Sequence, residues 1–198
     1  MSDKIILVAE TGSDLNPRLA ARYGVYLVPM HVSMGGKTLD DGSFPPEDVC
    51  AYYDSTGKVP QTSASSPADF ERGFDEIHAA HPQAKILHLA YSAVTTCSYQ
   101  NAVLASEERD YVVSVDTRHV SVGQAAVVME VAKWLQAHPE ADIQQAAQAA
   151  PGDLAVVAHG GIIAQFMQHI SGTWYKPDYT EIIPLRYENG KFCLLEEL

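Results

Sequence analysis

Six consecutive residues, Thr62-Ser63-Ala64-Ser65-Ser66-Pro67, put four hydroxyls within five positions, just ahead of a run with helical spacing. The orphan amides at a helix start and the positive end of the helix dipole favour a carboxylate or phosphate there. Two readings stand side by side. In one, the stretch is an ST-turn and a helix cap, with Ser66 capping and Pro67 at the first helical position. In the other, Thr62 and Ser63 donate to a bound anion. A second hydroxyl-rich stretch, Tyr91 to Ser98, offers Ser92, Thr96 and Ser98 for the same chemistry. Thr11-Gly12-Ser13-Asp14 contributes Ser13, and His159-Gly160-Gly161 sets a histidine beside two glycines. His159 is either a donor to the same anion or a satisfied loop histidine. No carboxylate pair has a spacing suited to general acid and base catalysis. Cys50, Cys97 and Cys193 are scattered, without CxxC, CxH or HxxxH spacing, so neither a metal nor another cofactor is expected.

These residues need a scaffold, and the hydrophobic pattern supplies one. Lys4 to Ala9 is too uniformly apolar for a one-sided strand and reads as a buried parallel strand. Leu15 to Tyr23 has helical spacing and is ended by Gly24. Val25 to Val32 is a second strand, weakened by Pro29. Gly35-Gly36 and Asp40-Asp41-Gly42 are turns, Pro45 to Tyr53 is a short helix, and Asp54 to Gln61 is a loop. Phe70, Phe74 and Ile77 give Pro67 to Ala80 one apolar helical face. Further strands are expected over 85–90, 111–115 and 154–158, and helices over 98–108, 120–137, 142–149 and 162–170. Asn189-Gly190 lies between two strand-like runs, 179–187 and 191–195, a strong hairpin signal.

Repeated strand–helix alternation predicts an α/β fold: a doubly wound, mainly parallel sheet with helices on both faces and a C-terminal β-hairpin. In such sheets ligands sit at the carboxyl ends of the strands, where the loops holding Ser13, Ser92 to Ser98, Asp116 to His119 and His159 fall. The expected organisation is a domain over residues 1–150, followed by a strand–helix–hairpin segment over 151–198 packed onto the same sheet. His31 and His88 lie inside strands and are expected in the core. Phe70/Phe74 and Met129/Trp134 read as core stripes, whereas Trp174, Tyr175 and Tyr179 either pack the tail or form an interaction surface.

Composition limits the partners. With 46% hydrophobic and 19% charged residues the chain is globular and not disordered. A net charge of −12 with no run of Lys or Arg argues against nucleic acid and against an electrostatic hold on anionic membranes. An anionic ligand would have to be held by local dipoles. The odd number of scattered cysteines suits a reducing compartment. With no signal pattern and no membrane-length apolar span, the expected location is cytoplasmic.

Residues 4 to about 135 resemble the DegV family, which includes the fatty-acid-binding B subunits of bacterial fatty acid kinase. The resemblance rests on an ordered series: Thr11 to Leu15, Val28-Pro29-Met30, Asp40-Asp41-Gly42, Pro60 to Ser63, Ser66-Pro67, Ser92 to Ala102, and Asp116-Thr117-Arg118 with Ser121-Val122-Gly123. It implies a fatty acid ligand whose carboxylate is held by Thr62, Ser63 and the serine-bearing turn, with the acyl chain in an apolar tunnel. It also implies a kinase catalytic subunit as partner and no chemistry by the carrier itself. The family turn usually reads Ser-Ser-x-x-Ser-Gly-Thr-Tyr-Gln; here Ala93, Thr96 and Cys97 replace two serines and the glycine, leaving hydroxyls at Ser92, Thr96 and Ser98. Family members are longer, with a second domain that covers the acyl chain and supplies a histidine to the carboxylate. A homo-oligomer would offer another cover, and His159 another histidine.

Residues 153–198 resemble the end of a histidine phosphatase domain, through Leu154 to Ile163 and Ile182 to Phe192. That implies a phosphoryl-transfer enzyme centred on His159. However, the family's nucleophilic Arg-His-Gly motif is missing after the first strand, where Glu10-Thr11-Gly12 stands. A remnant fold without ligand is the third reading.

Overall fold

The computed structural model describes residues 4–149, Gln168, Gly172, Leu185–Glu188 and Lys191–Leu194. Strand β1 (Ile5–Glu10) leads through a 3-10 turn at Thr11–Ser13 into helix α1 (Pro17–Tyr23). Asn16 caps α1 by accepting from the Leu19 amide, and Gly24 closes it at φ 67°. Strand β2 (Val25–Val28) returns beside β1.

Pro29 then breaks the expected long strand. It lacks an N–H for the ladder and its φ is fixed. Beyond it the chain leaves the first sheet and forms β3 (His31–Met34), β4 (Lys37–Asp40) and β5 (Gln61–Ser63), a separate antiparallel sheet in the order β4-β3-β5. The expected loop over 54–61 is therefore partly wrong. Helix α2 (Glu47–Thr56) runs further than expected, and Thr62-Ser63 lies in a strand paired with β3. Gly35 and Gly36, at φ 61° and 74°, make the β3–β4 turn.

Helix α3 (Pro67–Ala80), strand β6 (Lys85–Ala90), helix α4 (Ser98–Ala105), strand β7 (Val112–Asp116), helix α5 (Val122–Ala137) and helix α6 (Ile143–Gln148) follow. The main sheet is parallel throughout, in the order β2-β1-β6-β7. Its two faces follow the two-residue period of the strands. Leu7, Ala9, Leu87 and Leu89 pack under α1, α5 and α6 through residues such as Ala20, Val128, Val131 and Ala146. Ile6, Val8, Val28 and Ile86 pack under α3 and α4 through Phe70, Phe74, Ile77, Ala102 and Ala105. This is the doubly wound α/β architecture the pattern predicts.

Near the C-terminus, β8 (Leu185–Glu188) and β9 (Lys191–Leu194) pair antiparallel, as expected of the hairpin. Backbone contacts divide the chain into a unit over Met1–Ala155 and a unit over Val156–Leu198. The strand expected at 154–158, the His159 loop, the helix at 162–170 and the aromatic group at Trp174, Tyr175 and Tyr179 lie outside the described residues. No helix among the described residues is long and apolar enough to cross a membrane.

The start of α3 ties the two sheets together. Ser66 and Asp69 form a reciprocal capping box: the Ser66 amide donates to Asp69 Oδ2 at 2.8 Å and the Asp69 amide to Ser66 Oγ at 3.3 Å. Asp69 also meets Arg72 (2.8 Å) and His31 Nε2 (2.8 Å), while His31 Nδ1 lies 3.1 Å from Asp40. His31 is thus a link between β3 and α3 and not the core residue its strand position suggests. Burial opposes ionisation of Asp69, but the Ser66 hydroxyl, His31, the Ser66 amide and Arg72 outweigh it and hold the carboxyl below the ordinary 3.8.

Phe74 is fully buried, its ring against that of His88 of β6. Phe74→Ala is expected to cost about 3–5 kcal/mol in denaturant-induced unfolding. Asp69→Asn should cost stability at neutral pH. A carboxylate with a depressed folded pKa stabilises above its unfolded value and loses that contribution as pH falls. The wild-type advantage in melting temperature over Asp69→Asn should therefore shrink steadily as pH drops below 4 or so; an advantage independent of pH would contradict this.

Candidate functional site

The chain runs from β1 to β2 on one side of the sheet, then returns to β6 on the other side of β1. Strand order reverses between β1 and β6, and the crevice beyond their carboxyl ends is where such sheets bind ligands. The loops there are Thr11–Ser13 and Tyr91 to Cys97. The loop after β7 joins them, since the Ser92 amide donates to the His119 carbonyl at 3.0 Å.

Glu10 ends β1 at this point and is 0% exposed. Its Oε1 accepts from Ser98 Oγ at 2.6 Å, and Oε2 accepts from Gln124 Nε2 at 2.7 Å. The Tyr91 amide donates between the two oxygens, at 3.2 and 3.0 Å. His88 Nε2 stands 3.4 Å from Oε1, with its ring against both Phe70 and Phe74 and its Nδ1 3.2 Å from Ser114 Oγ. Burial opposes ionisation of Glu10, but the neighbouring His88 and the donors Ser98 and Gln124 outweigh it and bring its pKa down to about 2. The group is a buried carboxylate compensated from four elements.

A second carboxylate shapes the same turn. Asp116 Oδ1 accepts from the amides of Ala93 (3.2 Å) and Arg118 (2.9 Å). The Thr95 and Thr96 amides fold back onto the Ser92 carbonyl, and the Ser98 amide donates to Thr96 Oγ1 at 3.1 Å. Most donors of this turn are thus engaged by the protein's own acceptors. The Val94 and Cys97 amides and the Ser92 hydroxyl have no hydrogen-bond partner among the described residues.

Gly12 lets the loops close up: a Cβ there would stand 2.6 Å from Met30 Sδ and 3.2 Å from the Tyr91 ring. The Asp14 carboxylate accepts from the Ser121 hydroxyl, joining the loops after β1 and β7. Among the described residues the non-glycine residues with positive φ are Asp14, Arg118 and Ser121, all in these loops. Ser121, at φ 52° and ψ −136°, is in a region that L-residues rarely occupy. Strain of this kind collects where a ligand site over-determines the backbone.

The hydroxyls proposed from sequence fall into two groups. Ser98 and Thr96 hold the turn, and the fully buried Ser13 accepts from the Leu15 amide at 3.4 Å. Thr62 and Ser63 are exposed, and their hydroxyls have no partner among the described residues. Just downstream of their strand, Ser65 Oγ donates to the Pro29 carbonyl (2.7 Å), and Asn101 Nδ2 of α4, the helix that follows the Tyr91 to Cys97 turn, donates to the Ser65 carbonyl (2.8 Å). His159 lies outside the described residues.

Sequence reasoning missed Glu10 and Gln124. The signals were present: one carboxylate closing an apolar strand, and one amide on the apolar face of a Val/Ala-rich helix. The described residues contain no group of three or more His, Cys, Asp or Glu able to hold a metal.

Comparisons with known proteins bear on the family and the fold. The DegV family model, described as an uncharacterised protein family, matches residues 4–151. A DegV domain-containing protein of Caldanaerobacter subterraneus subsp. tengcongensis is 25% identical over 66% of this chain and 47% of its own length. One from Deinococcus radiodurans is 30% identical over 67% of this chain and 47% of its own. The chain spans about half the length of the curated relatives it matches. A solved structure from Thermus thermophilus, described as fatty acid binding of a DegV family protein, superposes with a TM-score of 0.64 at 29% identity, covering 74% of this chain and 52% of that one. The resemblance of the C-terminal stretch to histidine phosphatases gains no support from these relatives. With a family model matching residues 4–151 and a shared fold, the chain belongs to the DegV family.

Proposed function

We propose that this chain binds a fatty acid through its carboxylate and presents it to a kinase catalytic subunit, without performing chemistry itself. The observation that carries the reading is the Thr62–Ser63 pair: exposed hydroxyls with no partner among the described residues, on a strand whose downstream Ser65 is bonded to α4, the helix that follows the turn at the strand-order reversal. The Ser92 hydroxyl and the Val94 and Cys97 amides complete the clamp. Thr96, Ser98 and Ser13 shape the loops around it, and His159 is a further donor to be tested. Val94, 91% exposed, and the exposed Val120 and Val122 give the loops apolar surface along which an acyl chain can start. The fatty acid binding described for the Thermus thermophilus protein supports the same reading. The free Cys50 and Cys97 thiols suit a reducing, cytoplasmic setting.

The test is oleate binding to delipidated protein, with mass spectrometry of co-purified lipid. Hydrogen bonds to a charged group contribute about 1.5–3 kcal/mol each. Thr62→Ala with Ser63→Ala should therefore weaken oleate at least tenfold and leave oleyl alcohol nearly unchanged. His159→Ala in the same assay decides whether that histidine reaches the carboxylate. Light scattering with and without oleate shows whether a second protomer helps cover the chain. A wild-type protein that neither carries lipid nor binds oleate would sink the reading.

A further inference from the structure

We infer that Glu10 is the positioning residue of the ligand site: its carboxylate sets the shape of the Tyr91 to Ser98 turn and decides which donors remain for a bound anion. This rests on the fatty acid reading above. Three donors from three places converge on the carboxylate: the Tyr91 amide after β6, the Ser98 hydroxyl at the start of α4, and the Gln124 amide within α5. Both oxygens are in use, so neither Tyr91 N–H nor Ser98 O–H is free for a ligand. The Ser92 hydroxyl, between them in sequence, is left without a partner among the described residues. The carboxylate is fully buried, and therefore it does not touch a ligand; it acts through the turn.

Two substitutions separate reach from charge. Glu10→Asp keeps the charge and withdraws the carboxylate by about 1.5 Å, one C–C bond length. It cannot then reach Tyr91, Ser98 and Gln124 together. Glu10→Gln keeps the reach. Its oxygen can take the place of Oε2, accepting from Gln124 and Tyr91. Its NH₂ group then faces Ser98 Oγ, which can accept as readily as donate, and His88 Nε2, which is buried without a hydrogen-bond partner. The turn keeps its shape without the negative charge.

The experiment measures three quantities on delipidated wild type, Glu10→Asp and Glu10→Gln: oleate affinity, melting temperature, and amide hydrogen exchange across Tyr91 to Ser98. Glu10→Asp is expected to weaken oleate at least tenfold and to speed exchange in the turn. Glu10→Gln should restore both to within threefold of wild type, a rescue that loss of bulk stability would not produce. The inference is overturned if Glu10→Asp binds and exchanges like wild type, or if Glu10→Gln melts like wild type yet binds as weakly as Glu10→Asp. If Glu10→Asp does not fold, Ser98→Ala removes one donor and should show the same faster exchange and weaker binding; unchanged values overturn the inference equally. Should wild type bind no oleate, the fatty acid reading fails by itself. The exchange rates then decide alone: a turn loosened in Glu10→Asp but not in Glu10→Gln upholds Glu10 as the residue that sets it.

Discussion

A carboxylate with no access to water constrains this fold more than any other single group. An unpaired charge buried like Glu10 would cost several kcal/mol, so the structure around it has to converge donors on it. Those donors come from both layers of helices. Ser98 begins α4, which packs on one face of the sheet, and Gln124 belongs to α5, which packs on the other. One side chain at the end of the central strand thereby fixes where two helices and a strand-end turn stand relative to each other. The apolar faces of the sheet provide most of the burial, but they are non-directional. Glu10 and its partners supply the direction.

The same chemistry serves the fold and, on the proposed reading, the ligand. Hydroxyls and loop amides next to helix starts are ready to meet anions, and the nearest anions are the protein's own. Glu10, Asp69 and Asp116 each collect donors that could otherwise serve a ligand. Ser66 is consumed by Asp69, Ser98 by Glu10, and the Ala93 amide by Asp116. What distinguishes a hydroxyl available for binding is therefore not its type or its spacing but whether an internal acceptor reaches it first. By that criterion Thr62, Ser63, Ser92 and Thr96, whose oxygen only accepts from the Ser98 amide, stand apart from the other serine and threonine hydroxyls in the two stretches.

This explains which parts of the structure can be read directly from residues. Helix α3 and strand β6 are legible to the residue: Ser66-Pro67 opens the helix, Phe70, Phe74 and Ile77 give the period, and Lys85 to Ala90 is a strand-length run apolar except at Lys85 and His88. The small antiparallel sheet was not. Its strands are three or four residues long, too short for alternation to declare itself, and β5 consists of polar residues that read equally well as a loop. Pro29 was recognised as a disruption, but its consequence, a change of sheet, depends on where the chain goes next. In the site, the hydroxyl-rich stretches were visible because such clusters have a local meaning. Glu10 and Gln124 lie 114 positions apart, and their partnership exists only once β1 and α5 have packed. His31 was misjudged for a related reason: strand position suggests burial, while its two acidic partners are 9 and 38 residues away.

The charge balance adds a last constraint on how such a site works. The chain carries a net charge of −12, and an ionised Glu10 lies directly behind the turn. Neither favours a second carboxylate nearby, and the donors the site offers are neutral hydroxyls and amides. Hydroxyls can donate to a carboxylate or both donate to and accept from a carboxylic acid, so they hold the head group in either state. A buried arginine or lysine would bind the anion more strongly and make its departure correspondingly expensive. On the proposed fatty acid reading, with only neutral donors offered to the head group, affinity has to come mainly from the apolar chain, at about 0.8 kcal/mol per buried CH₂. On that reading the head group is oriented without being locked, which suits a carboxylate proposed for presentation to another protein.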